Sequence, residues 1–218
     1  MSSLVVYDTP CWLKAFSTGK DSCVEDMGFS IEDLALPRQT HSSNVLKVAA
    51  SGRPENTDAV FTGVPGLCVC VKTADCIPVL LYDDKERIVA AIHAGWRGTV
   101  GKIVSKTISE MGSAGQHLHA IIGPGISQEE FEVGDEVYDA FLQNGFPMHR
   151  IAKRYPSAQG GERWHIDLWD ANRWLLEQHG VKDIHVAGIC TKSSPLYYSA
   201  RRETINTGRN YNGILILP

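Results

Sequence analysis

Three residues whose types could share one task stand at three separate turns: His41 in "RQTHSSNV", Cys76 in "KTADCIPVLL" and His93 in "HAGWRGT". Two imidazoles and a thiolate are a recognised ligand set for catalytic zinc, which keeps its fourth tetrahedral position for water. Their spacings, 35 and 17 residues, follow no local metal motif, so only a fold that gathers strand ends brings them together. The same residues admit a second chemistry, a Cys–His hydrolase with Cys76 as nucleophile and His93 or His41 as base. Asp75 adjoins the thiol and is the candidate carboxylate for moving protons, or else for holding its own loop.

"HAGWRGT" reads as a strand-to-helix turn, where unpaired amide groups and the positive helix end favour an anion. Gly95 and Gly98 allow the backbone to come close to a ligand, and Arg97 supplies a fork for phosphate or carboxylate. The plainer alternative is an ordinary glycine turn with Trp96 on the core and Arg97 in solvent. His117, His119, His149, His165, His179 and His185 share no pattern and read as structural or surface residues. None of the six cysteines forms a C-x-x-C pair, which removes a zinc ribbon from consideration.

The elements that must position these residues follow from apolar patterning. Alternation or short apolar runs predict strands at 12–17, 45–49, 59–62, 67–72, 79–82, 87–92, 119–122, 184–189 and 214–217. Pro78 is expected to keep its own position out of a central ladder. Helical spacing runs from Val100 to Met111 with Gly112 as a stop, from Val133 to Phe141, and from Leu168 to Leu176. The last has Asp167 as N-cap and Gly180 past its end. Ala152 to Arg163, with Pro156, Gly160 and Gly161, is expected to be an exposed loop. Many strands with helices between them predict an α/β fold, a mixed sheet covered by helices on its faces.

A chain of 218 residues without a long linker predicts one domain spanning 1–218. With 43% hydrophobic and 21% charged residues the balance is that of a soluble globular protein. A net charge of −4 with no Lys/Arg cluster argues against a nucleic-acid partner. No run approaches the roughly 20 apolar residues that span a bilayer, and the N-terminus lacks a positive region, so a cytoplasmic, membrane-free protein is expected. In that reducing setting the cysteines are core residues, a nucleophile or ligands rather than disulfides.

"QTHSSNV", "TDAVFTG", "VKTADCIPVLL", "AAIHAGWRGT", "GPGIS", "FEVGDEV" and "YYSARRETINTGRN" occur in this order. Together they closely resemble the laccase-domain family, once called multicopper polyphenol oxidases and now read as purine nucleoside phosphorylases. The resemblance runs from about Arg38 to the C-terminus and implies a single-domain α/β/α sandwich on a mixed sheet. It also implies a zinc site whose ligands carry over to His41, Cys76 and His93. Implied substrates are small molecules: phosphate and the nucleosides adenosine, inosine, guanosine and methylthioadenosine, with deamination of adenosine. Arg97, Gly95 and Gly98, together with Arg201 or Arg202 of the closing motif, are the groups expected to hold phosphate.

Other family readings are copper-dependent phenol oxidation and editing of peptidoglycan precursors, the latter suited to the cysteine hydrolase. A single copper could occupy N and S ligands. A laccase-type cluster, however, needs paired histidine motifs, and the only H-x-H here is His117 and His119. Two positions depart from the family pattern. Ser42 replaces the usual Gly after the first histidine, and "FSTGKDS" lacks the family's arginine, with Lys20 as its nearest substitute.

Overall fold

Strands carry most of the architecture of this computed structural model, which describes residues 2–158 and 160–218. A six-stranded sheet runs in the order β13 (Asp183–Val186), β9 (Leu118–Ile122), β7 (Ile77–Asp83), β8 (Ile88–Ala94), β5 (Ala59–Thr62) and β4 (Val45–Lys47). Its two outer pairs are parallel and its inner pairs antiparallel. A five-stranded sheet has the order β1 (Val5–Val6), β2 (Leu13–Ser17), β14 (Asn210–Ile216), β6 (Cys68–Thr73) and β3 (Leu34–Ala35). A small third sheet joins β10 (Glu132–Val133), β12 (Glu162–Ile166) and β11 (Ala152–Pro156).

The two large sheets pack face to face, with Val69, Val71 and Ile214 against Leu80, Val89 and Ala91. On the opposite face of the six-stranded sheet, Val79, Leu81 and Ile92 meet the helices α2 (Ile103–Met111), α3 (Asp135–Gln143) and α5 (Leu168–Gln178). Strand β7 is therefore buried on both faces, which is why its sequence is a continuous apolar run. Short 3₁₀ segments at Val24–Met27 and Ile31–Asp33 cover the outer face of the five-stranded sheet, over Phe16, Cys68 and Cys70. Burial pushes the Cys68 thiol up to about 12, the behaviour of a core thiol. The α/β class holds, with two stacked mixed sheets between α-helices on one side and 3₁₀ turns on the other.

All nine predicted strands form, each within a few residues of its expected bounds. Helix α5 begins where Asp167 caps it, accepting the Asp170 amide at 2.9 Å, a contact worth ~1 kcal/mol. Gly180 adopts a left-handed φ of 78° just past its end.

Four expectations need correction. The helix predicted from Val100 starts earlier as α1 (Trp96–Val100), stops at Gly101, and resumes as α2 after Lys102, whose φ is 57°. Val133 belongs to β10, and the helix that follows opens at Asp135. The stretch 152–163 holds β11 and the start of β12, paired from Ala152↔Ile166 to Pro156↔Glu162. Between the two strands, Gln159 lies outside the described residues.

Pro78 does sit in the central strand β7, opposite His93. Its carbonyl accepts the Gly123 amide at 3.0 Å, one residue beyond the end of β9, so its missing donor falls where that ladder closes. Among the described residues no helix is long and apolar enough to cross a membrane.

Candidate metal centre

Strand register explains how residues 17 apart in the chain become neighbours. The β7–β8 pairing runs from Asp83↔Ile88 to Ile77↔Ala94, so one step beyond its open end Cys76 falls opposite Gly95, with His93 beside it. The β5–β8 pairing begins at Ala59↔Ile92, which sets Asp58 opposite His93; the His93 amide donates to the Asp58 carbonyl at 2.7 Å. His41 precedes β4, the parallel neighbour of β5. Three strand ends thus converge at one end of the six-stranded sheet. One nitrogen from each histidine and the Cys76 Sγ lie within 4.8 Å of one another. His41 is exposed, Cys76 partly buried and His93 buried.

Asp58 organises this cluster, and sequence reasoning gave it no role. Its Oδ1 accepts His93 Nδ1 at 2.7 Å and the His41 amide at 3.0 Å. Its Oδ2 accepts the Thr40 amide at 3.1 Å, the Ser42 amide at 2.8 Å and the Ser42 hydroxyl at 2.7 Å. One carboxylate therefore orients one imidazole and fixes the backbone that carries the other, leaving His93 Nε2 for a ligand. Ser42, the departure from the family's glycine, adds a donor to this same group.

The electrostatics follow from these contacts. Burial alone would raise the Asp58 pKa, but the His93, Ser42 and backbone hydrogen bonds hold it well below the usual carboxylate range. Burial would likewise raise the Cys76 thiol, yet His93 and His41 bring it down to about 6. Burial works against a charged His93, while Cys76 and Asp58 carry it up to about 9. Without a metal ion these mutual shifts favour a thiolate beside an imidazolium at neutral pH.

Backbone conformation around the cluster is unusual. His41 has φ 60° and Asp75 φ 82°, left-handed values that non-glycine residues adopt at a cost of about 1–3 kcal/mol each. Asp75 is buried, and its carboxylate accepts Thr191 Oγ1 and the Arg201 amide, both at 2.7 Å. It ties the closing loop to the turn that bears Cys76. Gly95 is required by proximity: a Cβ there would stand 3.0 Å from Cys76 Sγ and 3.2 Å from His41 Cδ2. Gly98 lies inside α1, against the Ser42 carbonyl. Asn172 anchors α1 from behind, its amide donating to Thr99 Oγ1 at 3.1 Å and to the Leu168 carbonyl at 2.8 Å.

Two clefts open on the cluster and meet at His41, Ala74, Cys76, Ala200 and Ile205. The first, of about 370 Å³, is walled by Ile126, Leu168, Trp96 and Phe131, with Asp75, Arg97 and Arg201 as its charged groups. Arg97 lies over the Trp96 ring at 4.3 Å and Arg201 over Phe131 at 5.1 Å. The second, of about 350 Å³, adds His93, Gln39, Arg38, Lys72 and Arg209. Ile205, 71% exposed, stands at the rim of both.

Two expected groups have other occupations. The Arg202 guanidinium donates to the carbonyls of Thr191, Lys192 and Ser194, each at 2.7 Å, and to that of Tyr197, pairs with Glu203, and lines neither cleft. Lys20 is paired with Glu203 and packs over Tyr198, so it does not stand in for the family's arginine in the clefts. His117 and His119 sit at the far end of the sheet, where Tyr82↔His119 pairs β7 with β9, bound to Asp84 and Asp183. Among the described residues the only group of three or more His, Cys, Asp or Glu arranged to hold a metal ion is His41, Cys76 and His93.

The profile of the family described as multi-copper polyphenol oxidoreductase laccase matches residues 15–217. A purine nucleoside phosphorylase of Bacteroides thetaiotaomicron is 44% identical over 210 residues, covering 88% of this chain and 77% of the relative. The adenosine deaminase RL5, from an unknown prokaryotic organism, is 39% identical over 206 residues, 86% of this chain and 77% of that protein. The crystal structure of Neisseria meningitidis protein NMB0706 superposes with a TM-score of 0.86 at 27% identity, over 100% of both chains. With sequence profile, relatives and fold in agreement, the chain belongs to the laccase-like family that includes purine nucleoside phosphorylases and an adenosine deaminase.

Proposed function

We propose that the protein is a zinc-dependent purine nucleoside enzyme that cleaves adenosine, inosine, guanosine and methylthioadenosine with phosphate and deaminates adenosine. The observation that carries this reading is the His41–Cys76–His93 cluster at the meeting point of two clefts, with Asp58 behind it. The donor set fits the ion: two imidazole nitrogens and one thiolate, converging, with the orienting carboxylate that metal-bound histidines usually have. When bound, zinc supplies Lewis-acid chemistry at neutral pH.

The chain's own residues do the rest. The apolar wall of the first cleft suits a planar base, and Arg97 and Arg201 at its edge offer donors to the sugar or base. Asp75 holds the loop bearing Arg201 in place through that residue's amide, a positioning role that accounts for both carboxylate oxygens. Small-molecule substrates fit clefts of this size.

The test is metal analysis of purified protein with chromatography of adenosine incubated with and without phosphate, for wild type and Cys76→Ala. About one zinc per chain, with adenine formed only when phosphate is present and inosine formed without it, both in wild type alone, is the expected result. A zinc-loaded wild type that leaves every nucleoside intact would sink the reading.

A second reading, a cysteine hydrolase acting through Cys76, is favoured by the thiol brought down to about 6 beside His93, the pattern of an activated nucleophile. It predicts turnover in metal-free protein that alkylation of Cys76 abolishes.

A further inference from the structure

We infer that the anionic co-substrate, inorganic phosphate, binds in the second cleft on Lys72 and Arg209, across the His41–Cys76–His93 cluster from the apolar cleft that takes the base. This rests on the nucleoside reading above and moves the phosphate away from the helix start at Gly95, where the sequence expectation had it.

The two clefts differ in charge. The first carries Asp75 among its lining groups and is mainly apolar. The second is lined by Arg38, Lys72 and Arg209 and by no Asp or Glu. Lys72 is the informative residue. It is partly buried, it forms no ion pair among the described residues, and its charged neighbours Arg53 and Arg209 are cations, while burial keeps the nearby Cys70 thiol protonated. A half-buried ammonium with only like charges beside it is electrostatically unfavourable until an anion arrives. Burial and those two guanidinium groups lower its pKa, in keeping with that imbalance.

The lysine is also held in place. Gln39 grips its backbone from both sides, donating through Nε2 to the Lys72 carbonyl at 2.7 Å and accepting the Lys72 amide at 2.8 Å. Arg209 is fixed by the carbonyls of Ile205 and Gly208, at 2.8 and 3.0 Å, and by that of Thr207, with its Nε–H outside these bonds. By contrast α1 is a single turn of five residues, too short to add much dipole field at the other site.

Reaction geometry favours the same assignment. In phosphorolysis a phosphate oxygen forms a bond to C1′ of the ribose as the C1′–N9 bond breaks and its electron pair leaves with the purine. The proton of hydrogen phosphate ends on the purine, and ribose 1-phosphate is the other product. Nucleophile and leaving group occupy opposite faces of C1′, so base and phosphate need two adjoining spaces. The two clefts that meet at Ala74, Cys76 and Ala200 are such spaces.

Steady-state kinetics of the zinc-loaded protein, with phosphate and adenosine varied in turn, tests this on Lys72→Met, Lys72→Arg and Arg97→Ala. We expect Lys72→Met to raise the KM for phosphate at least tenfold while the KM for adenosine changes less than threefold, with much of the loss restored in Lys72→Arg. An unchanged phosphate KM in Lys72→Met with a raised one in Arg97→Ala would return the phosphate to the first cleft and overturn the proposal. If wild type turns over no nucleoside, the functional reading fails first, and calorimetric titration with inorganic phosphate then decides the anion site. Binding by wild type that is lost in Lys72→Met supports it, and equal binding or none overturns it.

Discussion

The six-stranded sheet carries histidines and carboxylates at both ends, and the two ends do different things with them. At one end His93 gives one ring nitrogen to Asp58 and turns the other on a thiol, beside a second imidazole. At the opposite end His119 has both nitrogens engaged, Nδ1 with Asp183 at 2.6 Å and Nε2 with Asp84 at 3.4 Å, and its ring stacks on Tyr82 at 4.5 Å. The first is buried and its carboxylate has no exposure, whereas the second is partly open to water. Residue type alone therefore does not mark a metal site; what distinguishes one is a ring nitrogen aimed at other ligand atoms while a carboxylate holds its partner nitrogen in place.

Asp58→Asn is the largest perturbation of that difference. The amide keeps the shape but loses the charge, and its NH₂ is turned on backbone amides that can only donate. We expect zinc affinity to fall ~10–100-fold and folding stability by ~2–3 kcal/mol. Competition against a chelator of known affinity reads the first and urea denaturation the second. Zinc affinity within threefold of wild type would mean that Asp58 serves only the loop.

Proton linkage sharpens the comparison further. In metal-free protein the two histidines draw the Cys76 thiol down to about 6 while Cys76 and Asp58 draw His93 up to about 9, which favours one proton on the pair, carried by the imidazole, between those values. An ion needs thiolate and neutral imidazole, so it must expel that proton. Apparent zinc affinity should then climb about tenfold per pH unit from 6 to 9 and level off above, with about one proton released per ion. Calorimetry in buffers of different ionisation enthalpy counts the proton, and a count near zero at pH 7.5 would contradict the thiolate–imidazolium state.

For stability the two shifts oppose each other. The raised His93 contributes fully below its unfolded value and loses that contribution as pH rises through 9. The lowered Cys76 contributes above its unfolded value and loses that as pH falls through 6. Stability of the metal-free pair should accordingly vary little between these limits.

The parts of this arrangement that could be read from sequence are those with unusual residue types or strong punctuation. His41, Cys76 and His93 could be grouped because two imidazoles and a thiolate, each beside a strand end, make a recognised zinc set, although each alone reads as structural. Helix α5 was legible from its cap, its spacing and its terminal glycine. Asp58 was not, because an aspartate before a strand reads as a turn residue, and only the β5–β8 register reveals that it faces His93. Lys72 was hidden inside an apolar strand pattern, where one polar residue suggests a solvent face. The β11–β12 hairpin was lost because Pro156, Gly160 and Gly161 outweighed a short alternation, although they mark only the tip and its approach.

The far end of the sheet supplies the smallest effect and the sharpest contrast. His119→Gln removes an imidazole with two carboxylate partners, as many polar partners as His93 has candidate uses. Because the site is partly exposed, solvent already screens those pairs, and such contacts contribute ~0–1 kcal/mol. The stacked Tyr82 ring adds a similar amount at most. We expect unfolding midpoints in urea to shift only slightly and zinc stoichiometry to stay at wild-type level. Loss of a metal ion on His119→Gln would mean that this end also binds one, and the distinction between a ring nitrogen aimed at other ligand atoms and one bound to a carboxylate would no longer separate the two ends.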